Sequence, residues 1–266
     1  GEIDRNIFAP SVVHGVAGAR VPDNASNDLY ANLTTGIYSG IRDLANATQV
    51  LAPLAAQNYR QGQDFEKLEN ARLLKPSEYT LNKQLGFISL NMSLNNDEIL
   101  CVAYEYTYGG RTYRVGEFSS DGIDAPQALV VKLLKGTDLS PAMPTWQLMM
   151  KNIYAIGAFQ ISPTDFQLDV LYRYDEIGTA VNSLSAGKIR NEPLLSVLNL
   201  DNLNSNGDSG PDGVFDFVEG VTVLASTGRV IFPEREPFGR YLARKIDDPT
   251  VAKSFVFPEL YDSTLS

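Results

Sequence analysis

"LGFISLNMSL" (85–94), "EILCVAYEYTY" (98–108) and "RTYRVGEFSS" (111–120) follow one another along the chain, divided by "NND" (95–97) and "GG" (109–110). The three runs are rich in β-branched and aromatic residues, their apolar positions recur with a period of two, and the separators are turn formers. Three neighbouring antiparallel strands are therefore expected. In the middle run Leu100, Val102, Tyr104 and Tyr106 share one face, while Ile99, Cys101, Ala103 and Glu105 share the other.

Working outward from these runs, the C-terminal side repeats the β pattern with helices interposed. "QALVVKLLKG" (127–136) reads as a further strand, and "MPTWQLMMKNIY" (143–154) as a short helix carrying the only Trp. "AFQISP" and "FQLDVLYRYD" form a hairpin candidate around Pro163, Thr164 and Asp165. Within it Phe166, Leu168, Val170 and Tyr172 point inward against polar Gln167 and Asp169. "EPLLSVLNL" (192–200) reads as a short apolar helix, and "VFDFVEGVTVLA" (214–225) and "RVIFP" (229–233) as strands joined by a "STG" turn. "EPFGRYLARKI" (236–246) reads as a surface helix with Arg240, Arg244 and Lys245 on its polar face. On the N-terminal side, Ile41, Leu44, Thr48, Leu51 and Ala55 recur at helical spacing, which predicts a helix over 39–52 stopped by Pro53. "YANLTTGIY" (30–38) reads as a short strand or a loop.

No repeat of solenoid or propeller length is present. With roughly eight or nine strands and three or four short helices, the expected fold is mainly β with short helices, a β-sandwich-like domain with helical insertions. Residues 1–70 are expected to form an N-terminal irregular and helical segment packing on a β-rich core of 71–266, as a separate part or as one continuous domain with it.

The 266 residues are 44% apolar and 10% aromatic, enough to build a core and too apolar for a wholly disordered chain. The net charge of −10 repels phosphate backbones and anionic lipid, which argues against nucleic acid as a partner. Cys101, the only cysteine, lies in an apolar run and reads as a small buried hydrophobe with no intrachain disulfide. A single histidine, His14, leaves little room for His-rich metal sites or Ser-His and Cys-His catalysis. No apolar run reaches the roughly 18 residues of a membrane-spanning helix. The chain opens "GEIDRNIF" without Met, from which an excised piece of a longer protein is expected.

One stretch looks like a site. "NSNGDSGPDGVFDFVEG" (204–220) aligns with a calcium loop if Gly213 takes its sixth position. Asp208, Asp212, the Val214 carbonyl, Asp216 and Glu219 then fill the first, fifth, seventh, ninth and twelfth positions, while the third is Gly210 and the fourth Pro211. Calcium is thus the one cofactor the loop suggests. The alternative is a hairpin or helix-to-strand turn, for which Asn, Asp, Gly and Pro are chosen by their backbone preferences. "GVAGAR" (15–20) is superficially like a dinucleotide loop but lacks a preceding apolar strand. Carboxylate pairs such as Asp121/Asp124 or Asp169/Asp175 have the chemistry of a glycosidase pair, but with 32 acidic residues such pairs also arise without one. The group Tyr104, Tyr106, Tyr108 and Tyr113 could line a carbohydrate or peptide surface, with alternate members facing a core.

Several long segments together carry a resemblance: 73–119 ("LLKPSEYTLNKQLGF" through "YRVGEFS"), 128–161 ("ALVVKLLKGTDLSPAMPTWQLMMKNIYAIGAFQI"), 194–220 ("LLSVLNLDNLNSNGDSGPDGVFDFVEG") and 228–239 ("GRVIFPEREPFG"). Over most of 68–246 the chain resembles the SprA/Sov family, very large outer-membrane proteins of the phylum Bacteroidetes linked to gliding motility and type IX secretion. The resemblance implies a segment of a giant β-barrel translocon that passes folded cargo to the cell surface, and it supplies no catalytic residues. It implies as partners other parts of the same translocon chain, secretion-system proteins and exported cargo. Helices interleaved with strands of ordinary polarity are unlike a bare barrel wall. An extramembrane domain is therefore expected, with no membrane insertion of its own, on the extracellular capping side rather than in the periplasm. A cell-surface adhesion module binding glycans or protein partners is the alternative.

Overall fold

The computed structural model describes residues 21–83, 86–174 and 178–261. His14, the "GVAGAR" stretch and Asp175 lie outside them. The chain divides into two compact units, Gly1–Met149 and Met150–Ser266.

In the first unit, α1 (Asp28–Thr34) starts where the Asn27 side chain accepts a hydrogen bond from the Tyr30 backbone N–H at 3.1 Å, an N-cap. Leu29 and Leu33, four apart, bury one side of it. Much of "YANLTTGIY" is therefore helical rather than strand or loop. The helix expected over 39–52 is divided at Asp43, whose carboxylate accepts from Ala45 N at 3.0 Å and so starts α2 (Leu44–Leu51) afresh after a 3-10 turn at Ser39–Arg42. Pro53 does not end the helical path, because it falls in the first turn of a second 3-10 segment, Ala52–Gln57, where a missing N–H costs nothing. Leu29, Leu33, Tyr38, Ile41, Ala47, Leu54 and Tyr59 form a small core.

The strands that follow are β1 (Tyr79–Asn82), β2 (Phe87–Leu90), β3 (Leu100–Val102), β4 (Tyr104–Tyr108), β5 (Arg111–Val115) and β6 (Lys132–Lys135). β4 and β5 make the expected hairpin, turning on Gly109 and Gly110 at φ 59° and 75°, both in the left-handed region that a tight hairpin turn needs. The three runs do not form one sheet, however: β2 pairs with β1 and β3 pairs with β6. The middle run breaks at Ala103. There a Cβ on Gly116 would lie 3.1 Å from the Ala103 Cβ and 3.3 Å from the Val102 carbonyl oxygen, so the backbones are too close for an unbroken ladder with side chains on both strands. Every residue of β3 and β6 is only half-buried, and β4 has no buried residue.

The second unit contains β7 (Ile153–Ala155), β8 (Tyr172–Arg173), β9 (Ala180–Val181), α3 (Leu194–Val197), β10 (Val223–Leu224), β11 (Arg229–Ile231), α4 (Leu242–Ile246) and α5 (Pro249–Ala252). β10, β11 and β7 form a three-stranded antiparallel sheet, and β8 pairs with β9. Its core is larger and drier, with Leu184, Leu198, Leu200, Val223 and Ile246 at most 1% exposed. Gly228, at φ 58°, turns β10 into β11 so close to Ala158 that a Cβ would lie 1.6 Å from its carbonyl oxygen.

The hairpin expected around Pro163 does not form. Residues 161–171 run without a ladder partner, yet Phe166, Leu168, Val170 and Tyr172 all pack on the core, so the sidedness read from alternation holds where the pairing does not. Of "VFDFVEGVTVLA" only Val223 and Leu224 are strand. "EPFGRYLARKI" does expose Arg240, Arg244 and Lys245, but it buries Tyr241, Leu242 and Ile246 and is a core helix with one wet face. Among the described residues the architecture is one of short helices and small antiparallel sheets, four ribbons of two strands and one sheet of three. It is not the pair of broad facing sheets that the sandwich expectation called for, because strands of two to five residues end before they can align over a common face.

Candidate functional site

The acidic loop of the second unit is built on a residue outside the calcium alignment. Asp201, 2% exposed, follows the exit of α3. Its Oδ1 accepts from Asp212 N at 2.9 Å, and its Oδ2 accepts from Gly213 N at 3.0 Å and from the Ser196 hydroxyl at 2.7 Å. Asp216 makes the second anchor: its Oδ2 accepts from Asn202 N at 2.6 Å and from Leu203 N at 3.2 Å, and its own N–H donates to the Leu200 carbonyl at 2.9 Å. Asn204 closes the tip, its Oδ1 accepting from Asn206 N at 2.9 Å and Asp208 N at 3.0 Å. Thr222 locks the far end by accepting from Val218 N at 3.0 Å and donating to the Asp216 carbonyl.

The four proposed ligands are not brought together. Asp216 and Glu219 turn carboxylate oxygens to backbone donors, Glu219 to Ala225 N at 2.9 Å. Asp212 accepts from Val214 N at 3.0 Å, and the Asp208 carboxylate is exposed. Among the described residues no three His, Cys, Asp or Glu side chains converge to hold a metal ion. In this arrangement the carboxylates of Asp212, Asp216 and Glu219 answer N–H groups of a tight turn. The signal for Asp201 was its place in "SVLNLDNL", an acid among leucines that face a core. An alignment window starting at Asp208 leaves it out.

In the first unit the tyrosine run makes a graded face. Tyr106 lies between Tyr104, 5.9 Å away between ring centroids, and Tyr113, stacked at 5.3 Å. The Tyr106 hydroxyl donates to the Pro22 carbonyl at 2.6 Å, and burial pushes its pKa up to about 12. Tyr108 stands 66% exposed at the hairpin tip opposite Arg111. The outer edge of β5 is covered at its base: Arg114 N donates to Asp23 Oδ1 at 3.2 Å, and the Asn24 carboxamide pairs with both the N–H and the carbonyl of Gly116 at 2.7 and 3.1 Å. Asn24 thus imitates a neighbouring strand for one residue.

Beneath this face Glu117, 7% exposed, is the most heavily bonded carboxylate of the unit. It accepts from Arg42 Nη1 at 2.6 Å and Nη2 at 2.5 Å, from Val130 N at 2.8 Å and from the Tyr30 hydroxyl at 3.2 Å. Burial alone would raise its pKa; the hydrogen bonds from Arg42 and Val130, with the Arg42 charge, outweigh burial and hold it below the usual carboxylate range. The cluster fastens α1, the 3-10 turn at 39–42 and the end of β5. Of the proposed carboxylate pairs, Asp121 accepts from Phe118 N at 2.9 Å and pairs with Arg114 at 3.0 Å, a capping role, and Asp169 is exposed. An open groove of about 590 Å3 beside α2 is lined by Leu51, Ala55, Tyr59, Arg60, Phe65 and Lys67 and carries no paired acid and base.

Compared with protein-family models and with curated proteins, the chain matches none. No helix among the described residues is long and apolar enough to cross a membrane.

Proposed function

We propose that this chain is a non-catalytic extramembrane domain of an outer-membrane protein translocon of the SprA/Sov kind, serving type IX secretion and gliding motility from the extracellular, capping side. Its partners are other parts of the same translocon chain, secretion-system proteins and exported cargo. The observation that carries the reading is the state of the ribbons in the first unit. β1–β2, β3–β6 and β4–β5 each have two strands, with faces that are half-buried at most positions and, among the described residues, no third strand. A two-stranded ribbon is marginal in water and gains stability from a further strand or a covering face. Surfaces of this kind suit a domain that is completed by contact, and within the whole assembly the ribbons become parts of larger sandwich-like sheets.

The other support is the long resemblance over 68–246, and the engagement of the acidic side chains in turn and cap bonds is in keeping with a structural role. Density for this chain in a map of the intact outer-membrane assembly tests the proposal: it should lie outside the barrel wall with neighbouring strands against the ribbons. A place within the wall contradicts the domain assignment, and a periplasmic place contradicts the side.

The exposed Tyr108 and Arg111 favour one second reading, a surface module that binds glycans or adhesive partners. It predicts saturable binding to a cell-surface glycan that Tyr108→Ala abolishes.

A further inference from the structure

The turn between β2 and β3 holds an arrangement that neither the calcium alignment nor the tyrosine face includes. The Lys135 ammonium, at the end of β6, donates to four backbone carbonyls: Glu98 at 2.6 Å, Gly136 at 3.1 Å, Asn96 at 3.2 Å and Asn95 at 3.3 Å. Among the described residues Lys135 has no ion pair with a carboxylate. An ammonium has three N–H groups, so four acceptors mean at least one shared bond, and the oxygens are gathered around the charge rather than along three separate directions. A ring of main-chain carbonyls replacing the hydration shell of a cation is the chemistry by which proteins hold potassium. The turn is closed on itself as well, with Asn95 N donating to Glu98 Oε2 at 2.7 Å and Glu98 N to the Asn95 carbonyl at 3.2 Å.

We infer that residues 95–98, with Gly136, form a carbonyl cage for a monovalent cation of potassium or ammonium size, and that the chain fills it with its own Lys135. Three carbonyls of one short turn pointing at a common centre repel each other, and a positive charge at that centre offsets the repulsion that the Asn95–Glu98 bonds would otherwise have to hold alone. Lys135 therefore sets the geometry of the link between the β1–β2 and β3–β6 ribbons, and loss of its charge, by substitution or by acylation of the amine, opens the turn. The inference is independent of the translocon reading.

The test uses the full chain and amide hydrogen exchange over residues 93–100, with Lys135→Met to remove the charge while keeping an apolar stem, and Lys135→Arg to keep the charge. In N-methylglucamine chloride, Lys135→Met should exchange faster at Asn95 and Glu98 by about one order of magnitude, the scale of losing hydrogen bonds to a charged group. Potassium or ammonium chloride at equal ionic strength should return it toward the parent rate. The parent should not respond to the choice of cation, and Lys135→Arg should stay nearer the parent than Lys135→Met does. Exchange in Lys135→Met equal to the parent overturns the inference. So does faster exchange that no cation restores, which would make Lys135 an ordinary tether, and so does an equal potassium response in the parent.

Discussion

Replacing Asp201 by Ala should open the acidic loop. The substitution removes the acceptor of three hydrogen bonds, from Ser196 Oγ, Asp212 N and Gly213 N, at a position 2% exposed to water. At about 1 kcal/mol for each bond the cost is about 3 kcal/mol. Because two of the three orphaned donors, Asp212 N and Gly213 N, sit in the loop itself, the effect should be local, a rise of roughly a hundredfold in amide exchange at Asp212 and Gly213, as local opening free energies are read. Asp201→Asn keeps one carbonyl oxygen and should fall between. Asp208→Ala, which removes an exposed carboxylate, is the control and should change stability by no more than about 0.5 kcal/mol. NMR or mass-spectrometric exchange at constant pH measures all three. If Asp201→Ala exchanged no faster than Asp208→Ala, the claim that a buried carboxylate organises the loop would be refuted.

Other perturbations have equally definite outcomes. Because the folded Glu117 pKa is depressed, its contribution is present above the unfolded carboxylate value and lost as pH falls through the folded one; acid melting of the first unit should show that slope, and Glu117→Gln should remove it. Arg42→Met leaves a buried carboxylate with less compensation and should cost about 3 kcal/mol at neutral pH, read by urea unfolding. The raised pKa of Tyr106 works in the other direction: its contribution is intact below about 10, the unfolded value, and lost as pH rises through about 12, a slope absent in Tyr106→Phe. Calcium added to chelator-stripped protein should give no saturable heat; saturable binding lost in Asp212→Asn would show that the loop rearranges around an ion. Gly228→Ala forces a Cβ to within 1.6 Å of the Ala158 carbonyl oxygen at φ 58° and should melt the β10–β11 turn.

Elements whose information is local were legible in the sequence. Gly109–Gly110 between two alternating runs specified the β4–β5 hairpin, and "PLLSVL" specified α3. The alternation of Phe166, Leu168, Val170 and Tyr172 identified the buried side even where no strand pairs with them, since burial needs only one apolar face. What failed was partner choice: nothing in "EILCVAYEYTY" says that Ala103 divides it, because the close approach of Gly116 is a long-range fact. Asp43 and Asn27 as caps were readable in principle, and the expected helix over 39–52 passed across Asp43 because its apolar spacing continues through it. In the acidic loop the spacing suggested ligands, while Asp201, which does the organising, stood seven residues before the first of them. Spacing counts oxygens but does not show which way they point, and here those of Asp212, Asp216 and Glu219 point at N–H groups.

The proposed place of this chain, outside the outer membrane as a domain of a translocon, is open to a direct test. Leu73, 91% exposed, offers a reporter position, and Cys101, the only cysteine of this chain, is replaced by Ser together with any cysteine elsewhere in the parent protein. With Leu73→Cys in the parent protein, a membrane-impermeant maleimide applied to intact cells should label the protein to the same extent as in lysed cells. Labelling only after the outer membrane is opened would place the domain in the periplasm and contradict the account.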